Sequence, residues 1–174
     1  MIKIGSARCD ENGRYTKGKV GDQRQVSSPD ERGEVSMQPF YVHRKGWIVA
    51  HPIDDDLGHD LAVNMKRACN NKNIGYSQSD RYGIMKYGTG TKVKCNTDCS
   101  ELVRKCLQEA GVNVDDFTTY NEVAVLRKTG LFVIYKYDPK LTKLYNGDIL
   151  TTSTKGHTAI VVSGAIARKR RKKK

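Results

Sequence analysis

Residues 97–111 read TDCSELVRKCLQEAG and contain the clearest helical pattern of the 174-residue chain. Asp98 with Glu101 makes an Asp variant of the N-terminal capping box, and Gly111 is a natural stop. The pattern therefore predicts a helix that begins after Asp98, with Cys99 in its first turn. The apolar positions of this helix follow the i, i+3, i+4, i+7 spacing: Cys99, Leu102, Val103, Cys106, Leu107 and Ala110.

Cys99 is a candidate nucleophile because of its place at this helix start. The N-terminus of a helix carries partial positive charge and free N–H groups, and both favour a thiolate. Lys92 and Lys94 add positive charge nearby in the sequence. The same N–H groups could hold an oxyanion. The alternative is that Cys99 is a small core residue of the helix stripe.

His157 is the candidate base, since a neutral thiol is a weak nucleophile and needs one. It follows Gly156 and opens the β-rich run HTAIVV, so its side chain could extend from the sheet toward a helix end. The alternative is a surface histidine without a catalytic role.

Further helices are expected over Leu57–Cys69, capped by Asp56, and over Thr119–Lys128, with Thr119 and Glu122 as a capping box. Two short strand pieces are expected around Gly46. Three β-rich runs late in the chain predict strands over 131–137, 148–152 and 157–163. Because helices come first and strands follow, the sequence predicts an α+β fold with helices packed on an antiparallel sheet.

The length suits a single catalytic domain over residues 1–167. A Gly-rich segment with strands occupies 1–50, the core occupies 57–163, and the basic run 168–174 is expected to be a disordered tail. The first ten residues do not resemble a secretory signal, which indicates synthesis in the cytoplasm. Five cysteines without such a signal argue against a disulfide framework.

The formal net charge of +12 indicates a polyanionic partner: nucleic acid, an acidic membrane face or an anionic cell wall. A basic nucleic-acid-binding protein without catalysis is therefore the alternative function, although it leaves the Cys99 and His157 patterns unexplained. Neither metal nor cofactor is expected, because no second Cys/His pair stands at zinc-finger spacing from Cys95, Cys99 and Cys106.

Four motifs resemble those of NlpC-type cell-wall peptidases, in the family's order. The quoted helix start is similar to their D-C-S-x-L-V nucleophile helix. The others are NIGY at 73–76, similar to a G-x-x-Y entry, NGDIL at 146–150, similar to a G-D-L/I strand, and GHTAIVV at 156–162, similar to a G-H-x-x-I base strand. The N-terminal part resembles phage endolysins of Gram-positive hosts through GSA at 5–7, DENG at 10–13, GDQ at 21–23, EV at 34–35 and FY at 40–41.

This resemblance implies a papain-like fold and a peptidoglycan hydrolase that cleaves an amide of the stem peptide. An N-acetylmuramoyl-L-alanine amidase and a stem-peptide endopeptidase both remain open. Cys99 would be the nucleophile and His157 its base, while Tyr76 would position the substrate or steady the oxyanion. The remaining candidate substrate-binding residues are Gln23, Asp98 and Ser100.

In NlpC-type enzymes a polar residue on the strand after the base orients the imidazole, but here only Ser163 and the basic run follow His157. The N-terminal resemblance makes Asp22 the preferred third member and Gln23 the second choice. The alternative is that Asp22 is only a turn residue after Gly21. The expected partners are peptidoglycan and, through the tail, anionic wall polymers or a membrane surface, with no specific nucleic acid. The protein is expected to act on the cell wall as a monomer.

Overall fold

The computed structural model of the protein describes residues 1–21, 33–154 and 156–169. No helix within these ranges is long and apolar enough to cross a membrane. The strands are β1 Lys3–Ala7, β2 Val35–Pro39, β3 Trp47–Pro52, β4 Ile74–Tyr76, β5 Cys95–Thr97, β6 Phe132–Lys136, β7 Ile149–Thr152 and β8 Thr158–Ser163. The helices are α1 Asp55–Cys69, α2 Gly83–Tyr87, α3 Cys99–Glu109 and α4 Glu122–Lys128.

Six strands form one sheet in the order β2-β1-β8-β7-β3-β6, and every neighbouring pair is antiparallel. The predicted α+β class with an antiparallel sheet is thus confirmed. The expected order of helices before strands was wrong, because β1, β2 and β3 all precede α1. β1 reads KIGSA and has little strand character of its own, but pairing on both sides with β2 and β8 gives it that conformation.

The sheet has an apolar core on each face. On one face α1 contributes the fully buried Leu61, Met65 and Ala68, which pack with side chains of α3. On the other face Trp47 and Val161 belong to a smaller cluster with no helix in it. A sheet buried on both faces holds its strand registers firmly, because a slip of one residue would exchange the two sets of side chains.

Several predicted elements differ from the observed ones, and α4 begins at Glu122 rather than at Thr119. The N-cap of α1 is Asp54 rather than Asp56, since Asp54 Oδ1 accepts from the backbone N–H groups of Asp56 at 2.8 Å and Leu57 at 3.1 Å. Of the two strand pieces expected around Gly46, only Trp47–Pro52 is a strand. Gly46, with φ of 70°, belongs to a turn in which its own backbone N–H donates to the carbonyl of His43.

Arg168, expected to begin the disordered tail, belongs instead to the folded body. Its side chain is 1% exposed and forms ion pairs with Asp148 at 3.2 Å and Asp55 at 3.0 Å. The guanidinium also donates to the carbonyl of Pro52. A buried arginine thus attaches this part of the chain to β3, α1 and the turn before β7.

Candidate active site

Cys99 occupies the predicted place at the first residue of α3. Asp98 caps the helix, and its Oδ1 accepts from the backbone N–H of Glu101 at 2.8 Å. Only this half of the expected capping box forms, because the Glu101 carboxylate binds Arg81 at 2.7 Å. Cys99 is 8% exposed and lies at the wall of a pocket.

His157 comes directly before β8 and lines the same pocket as Cys99. Its backbone N–H donates to Thr152 Oγ1 at 3.0 Å, which fixes the turn between β7 and β8. The backbone of the next residue, Thr158, lies near Cys99 and lowers the pKa of the thiol, against the larger and opposite effect of burial. In the part of the chain that the structure describes, no hydrogen bond joins the sulfur to the His157 ring. The start of α3 and the start of β8 therefore meet at one pocket, which Cys99 and His157 both line.

The pocket between them has a volume of about 330 Å³. Tyr76 reaches it from β4, and its hydroxyl accepts from Gln78 Nε2 at 3.2 Å. Among the described residues that line the pocket there is no carboxylate, so the wall is aromatic and cationic. The lining residues are Arg8, Tyr15, Tyr41, His43, Arg44, Lys45, Tyr76, Gln78, Cys99, Gly156 and His157.

Ser6, which the sequence did not single out, contacts the imidazole. Its hydroxyl lies 3.2 Å from His157 Nε2, and Ser6 is 1% exposed. The β1–β8 pairing brings these residues together across the whole length of the chain. On its other side, the ring lies 6.3 Å from that of Trp47. Asp22 and Gln23, the predicted third members, lie outside the described residues.

The protonation states of Cys99 and His157 differ from the expectation that the helix start lowers the pKa of the thiol. Burial, followed by the charges of Asp98 and Glu122, raises the pKa of Cys99 to about 12. Burial, followed by the positive charge of Arg8, lowers the pKa of His157 to about 4. At neutral pH the free protein thus holds a neutral thiol and a neutral imidazole at the same pocket. Such a pair suits proton transfer during attack on a substrate rather than a preformed thiolate.

Asp98 and Ser100, which were also predicted to bind substrate, support the start of α3 instead of lining the pocket. Ser100 Oγ donates to Asp98 Oδ1 at 3.0 Å, and both residues are buried. Neither is among the described residues that line the pocket. Their side chains are thus used to fix the backbone of the first turn of α3, where Cys99 lies.

Glu122, expected to belong to a capping box, is a fully buried carboxyl group behind Cys99. Thr158 Oγ1 donates to its Oε1 at 2.7 Å, while Thr119 Oγ1 accepts from the backbone N–H of Gly156. Burial raises the pKa of Glu122 to about 8, partly opposed by the hydrogen bond from Thr158. Local sequence could not show this role, since α4 and β8 are far apart in the chain.

Comparison with protein families matches residues 4–167 to a model described as an endolysin-like domain. The match spans the described body of the chain, including Ser6, Cys99 and His157. No curated protein and no solved structure matches the chain.

Proposed function

The chain belongs to the endolysin-like domain family, and from this premise we propose that it is a peptidoglycan hydrolase with Cys99 as nucleophile and His157 as base. One observation carries the proposal: the start of α3 and the start of β8 meet at one pocket, which Cys99 and His157 both line. A thiol at a helix N-terminus beside an imidazole is the arrangement that nucleophilic cysteine catalysis requires. The fold would be papain-like, of the NlpC type.

Attack begins with the neutral pair. We assign the proton of the neutral imidazole to Nε2, which then donates a hydrogen bond to Ser6 Oγ. The lone pair is therefore on Nδ1. Nδ1 takes the proton of Cys99 as the sulfur bonds to the carbonyl carbon of the amide. The imidazolium then returns that proton to the amide nitrogen, and the carbon–nitrogen bond breaks. A thioester and a free amine result.

Water completes the cycle. His157 removes a proton from the water as its oxygen attacks the thioester carbon, and the carbon–sulfur bond breaks. The proton returns to the Cys99 sulfur, which restores the neutral pair and releases a carboxylic acid. No other reactant is needed, because hydrolysis consumes only water.

Tyr76 is the proposed donor to the developing oxyanion. Burial raises the pKa of its phenol well above the ordinary value, so the O–H proton is retained. Gln78 donates to the phenol oxygen, which leaves the hydroxyl proton to be directed into the pocket. The backbone N–H groups of the first turn of α3 would be the second set of donors.

The cationic wall of the pocket supports an acidic substrate. Arg8, Arg44 and Lys45 line it, and stem peptides of peptidoglycan carry free carboxylates that such groups bind. Both an N-acetylmuramoyl-L-alanine amide and an amide within the stem are compatible with this wall. Mass spectrometry of digested peptidoglycan distinguishes them, because the new termini identify the bond.

The decisive test replaces the nucleophile. We expect Cys99→Ala to abolish clearing of cell-wall suspensions with the fold intact, because one small side chain at a helix start is lost. Cys106→Ala is the matched control, since Cys106 lies on the same helix and is fully buried. Wild-type lysis by Cys99→Ala would end the proposal. Alkylation of the thiols also separates the alternatives, because a nucleic-acid-binding protein would retain its binding.

A further inference from the structure

Arg81 connects the loop before α2 to the start of the nucleophile helix. Its side chain is 12% exposed, and its Nε forms an ion pair with Asp98 Oδ2 at 3.2 Å. Nη2 of the same guanidinium donates to Glu101 Oε1 and to the carbonyl of Phe117, both at 2.7 Å. It also reaches Asp116 Oδ1 at 3.2 Å. One cation thus holds three carboxylates around the first turn of α3.

Asp98 has two effects on Cys99 that oppose each other. Its Oδ1 caps α3 and fixes the backbone N–H groups near the sulfur. Its negative charge, adjacent to Cys99, disfavours the thiolate that forms during attack. A carboxylate cap at a nucleophile helix is therefore useful only when a cation compensates its charge without displacing it from the cap.

Arg81 satisfies this requirement because it binds the other oxygen of Asp98. Oδ2 faces the guanidinium while Oδ1 accepts from Glu101 N–H and Ser100 Oγ. We propose that Arg81 is a positioning residue of the active site, which acts through Asp98 to hold the first turn of α3 and to offset negative charge beside the Cys99 thiol. The proposal rests on the proposed function only in that Cys99 is the nucleophile.

Among the described residues, the titratable groups that act on the Cys99 thiol or share its pocket and bear on this proposal come from four elements. They are Asp98 at the cap of α3, Glu122 from α4, Tyr76 from β4 and His157 before β8. Arg81 contacts only the first of these, which makes its effect separable from the others. Loss of the arginine leaves the Asp98 charge uncompensated, so the thiolate becomes harder to form.

The test measures how fast iodoacetamide alkylates Cys99 as a function of pH, by mass spectrometry of the peptide that contains it. This readout needs no hydrolysis, so it remains informative even if peptidoglycan is not the substrate. We expect Arg81→Met to move the alkylation profile to higher pH and to slow labelling at a fixed pH about tenfold for each pH unit moved. With peptidoglycan, kcat should fall by a similar factor while KM stays near its wild-type value.

Three further variants separate charge compensation from general stability. Arg81→Lys keeps the charge and should retain most of the wild-type profile. Arg81→Met combined with Asp98→Asn removes both charges but keeps an oxygen at the cap, and should restore labelling. Arg104→Met is the matched control, because Arg104 contacts Glu101 and Asp116, and it should label like the wild type.

Two results would overturn the proposal. One is a wild-type alkylation profile in Arg81→Met. The other is a double variant that labels as slowly as Arg81→Met alone, since the arginine would then not act through Asp98. If Arg81→Met does not fold, the double variant and Arg81→Lys decide the question. If Arg81→Met shifts the alkylation profile as expected but the wild-type protein does not lyse cell walls, the proposed function is refuted and the role of Arg81 is not.

Discussion

Ser6 Oγ lies 3.2 Å from His157 Nε2, so the first strand of the protein contacts the ring that precedes its last strand. A polar group in this position can orient the imidazole that we propose as the base. A serine hydroxyl helps to hold the angle of the ring, but it pairs with either tautomer and adds no negative charge to stabilise an imidazolium. Ser6 is thus a candidate third member, and weaker than a carboxylate would be.

Ser6→Ala should lower kcat and leave KM nearly unchanged, because the hydroxyl is directed at the base and not at the substrate. A hydrogen bond of about 1 kcal/mol corresponds to roughly a fivefold loss of rate. Steady-state kinetics on a soluble wall fragment would measure it. Ser77→Ala is the control, since Ser77 is equally buried but bonds to Ser79. Equal losses in both variants would indicate a packing effect rather than orientation of the base.

The neutral state of His157 predicts activity at unusually low pH. Burial and the nearby Arg8 lower the pKa of the imidazole to about 4, so the base stays unprotonated well below pH 6.5. The acid limb of kcat/KM for the free enzyme should therefore lie near pH 4, with similar rates at pH 5.5 and pH 7. A rate that halves near pH 6.5 would show that the ring is not desolvated in the working enzyme.

How far the sequence could predict this site depends on the distance over which each signal acts. The capped helix with Cys99 was predictable, because capping residues and apolar spacing are local patterns. The Ser6 contact with His157 was not, since it depends on the register of β1 against β8 and spans 151 positions in the chain. The same holds for Glu122, whose local pattern favoured a capping box although tertiary packing directs it to Thr158.

For Cys99 the local pattern correctly predicted the helix start but led to a wrong expectation for the pKa of the thiol. Cys99 does begin a helix, and a helix start favours a thiolate. Yet burial of the sulfur, followed by the charges of Asp98 and Glu122, raises the pKa of Cys99 to about 12. Burial could not be read from the charged residues nearby in sequence, such as Lys92 and Lys94, so their expected contribution was overstated.

Glu122 should make stability depend on pH in the sense opposite to that of a glutamate whose pKa is lowered by an ion pair. Burial raises its folded pKa to about 8, above the ordinary value of 4.5, so the folded state keeps a proton that the unfolded state has lost. Stability is then full below about pH 4.5 and declines as pH rises toward 8, by up to about 1.4 kcal/mol per pH unit.

Glu122→Gln should remove this decline, because the amide oxygen still accepts from Thr158 Oγ1 and carries no proton to lose. Denaturant melts of both proteins from pH 5 to pH 9 would test it. We expect the curves to diverge with rising pH, with the variant the more stable at pH 9. Glu109→Gln is the control, since Glu109 is a partly exposed acid on α3. Parallel curves for Glu122→Gln and wild type would show that Glu122 is ionised in the folded protein.

The basic end of the chain should have two separable roles, divided at Arg168. The six residues after it are all Lys or Arg and supply half of the formal net charge of +12. Removing residues 169–174 should weaken binding to whole cell walls and flatten its salt dependence, because exposed charges are screened within about 8 Å at physiological salt. Melting temperature and hydrolysis of a small soluble substrate should not change.

Arg168→Ala should have the opposite effects. Its guanidinium and the carboxylate of Asp148 are 1% and 0% exposed, and removal of the arginine leaves this buried carboxylate to its contact with His51 Nδ1 at 2.8 Å. We expect unfolding to become easier by about 3 kcal/mol or more, while wall binding by the molecules that remain folded keeps its salt dependence. Thermal melts and binding to isolated walls at increasing salt separate these effects. Loss of stability on removing residues 169–174 alone would contradict the division at Arg168, because the tail would then be part of the folded body.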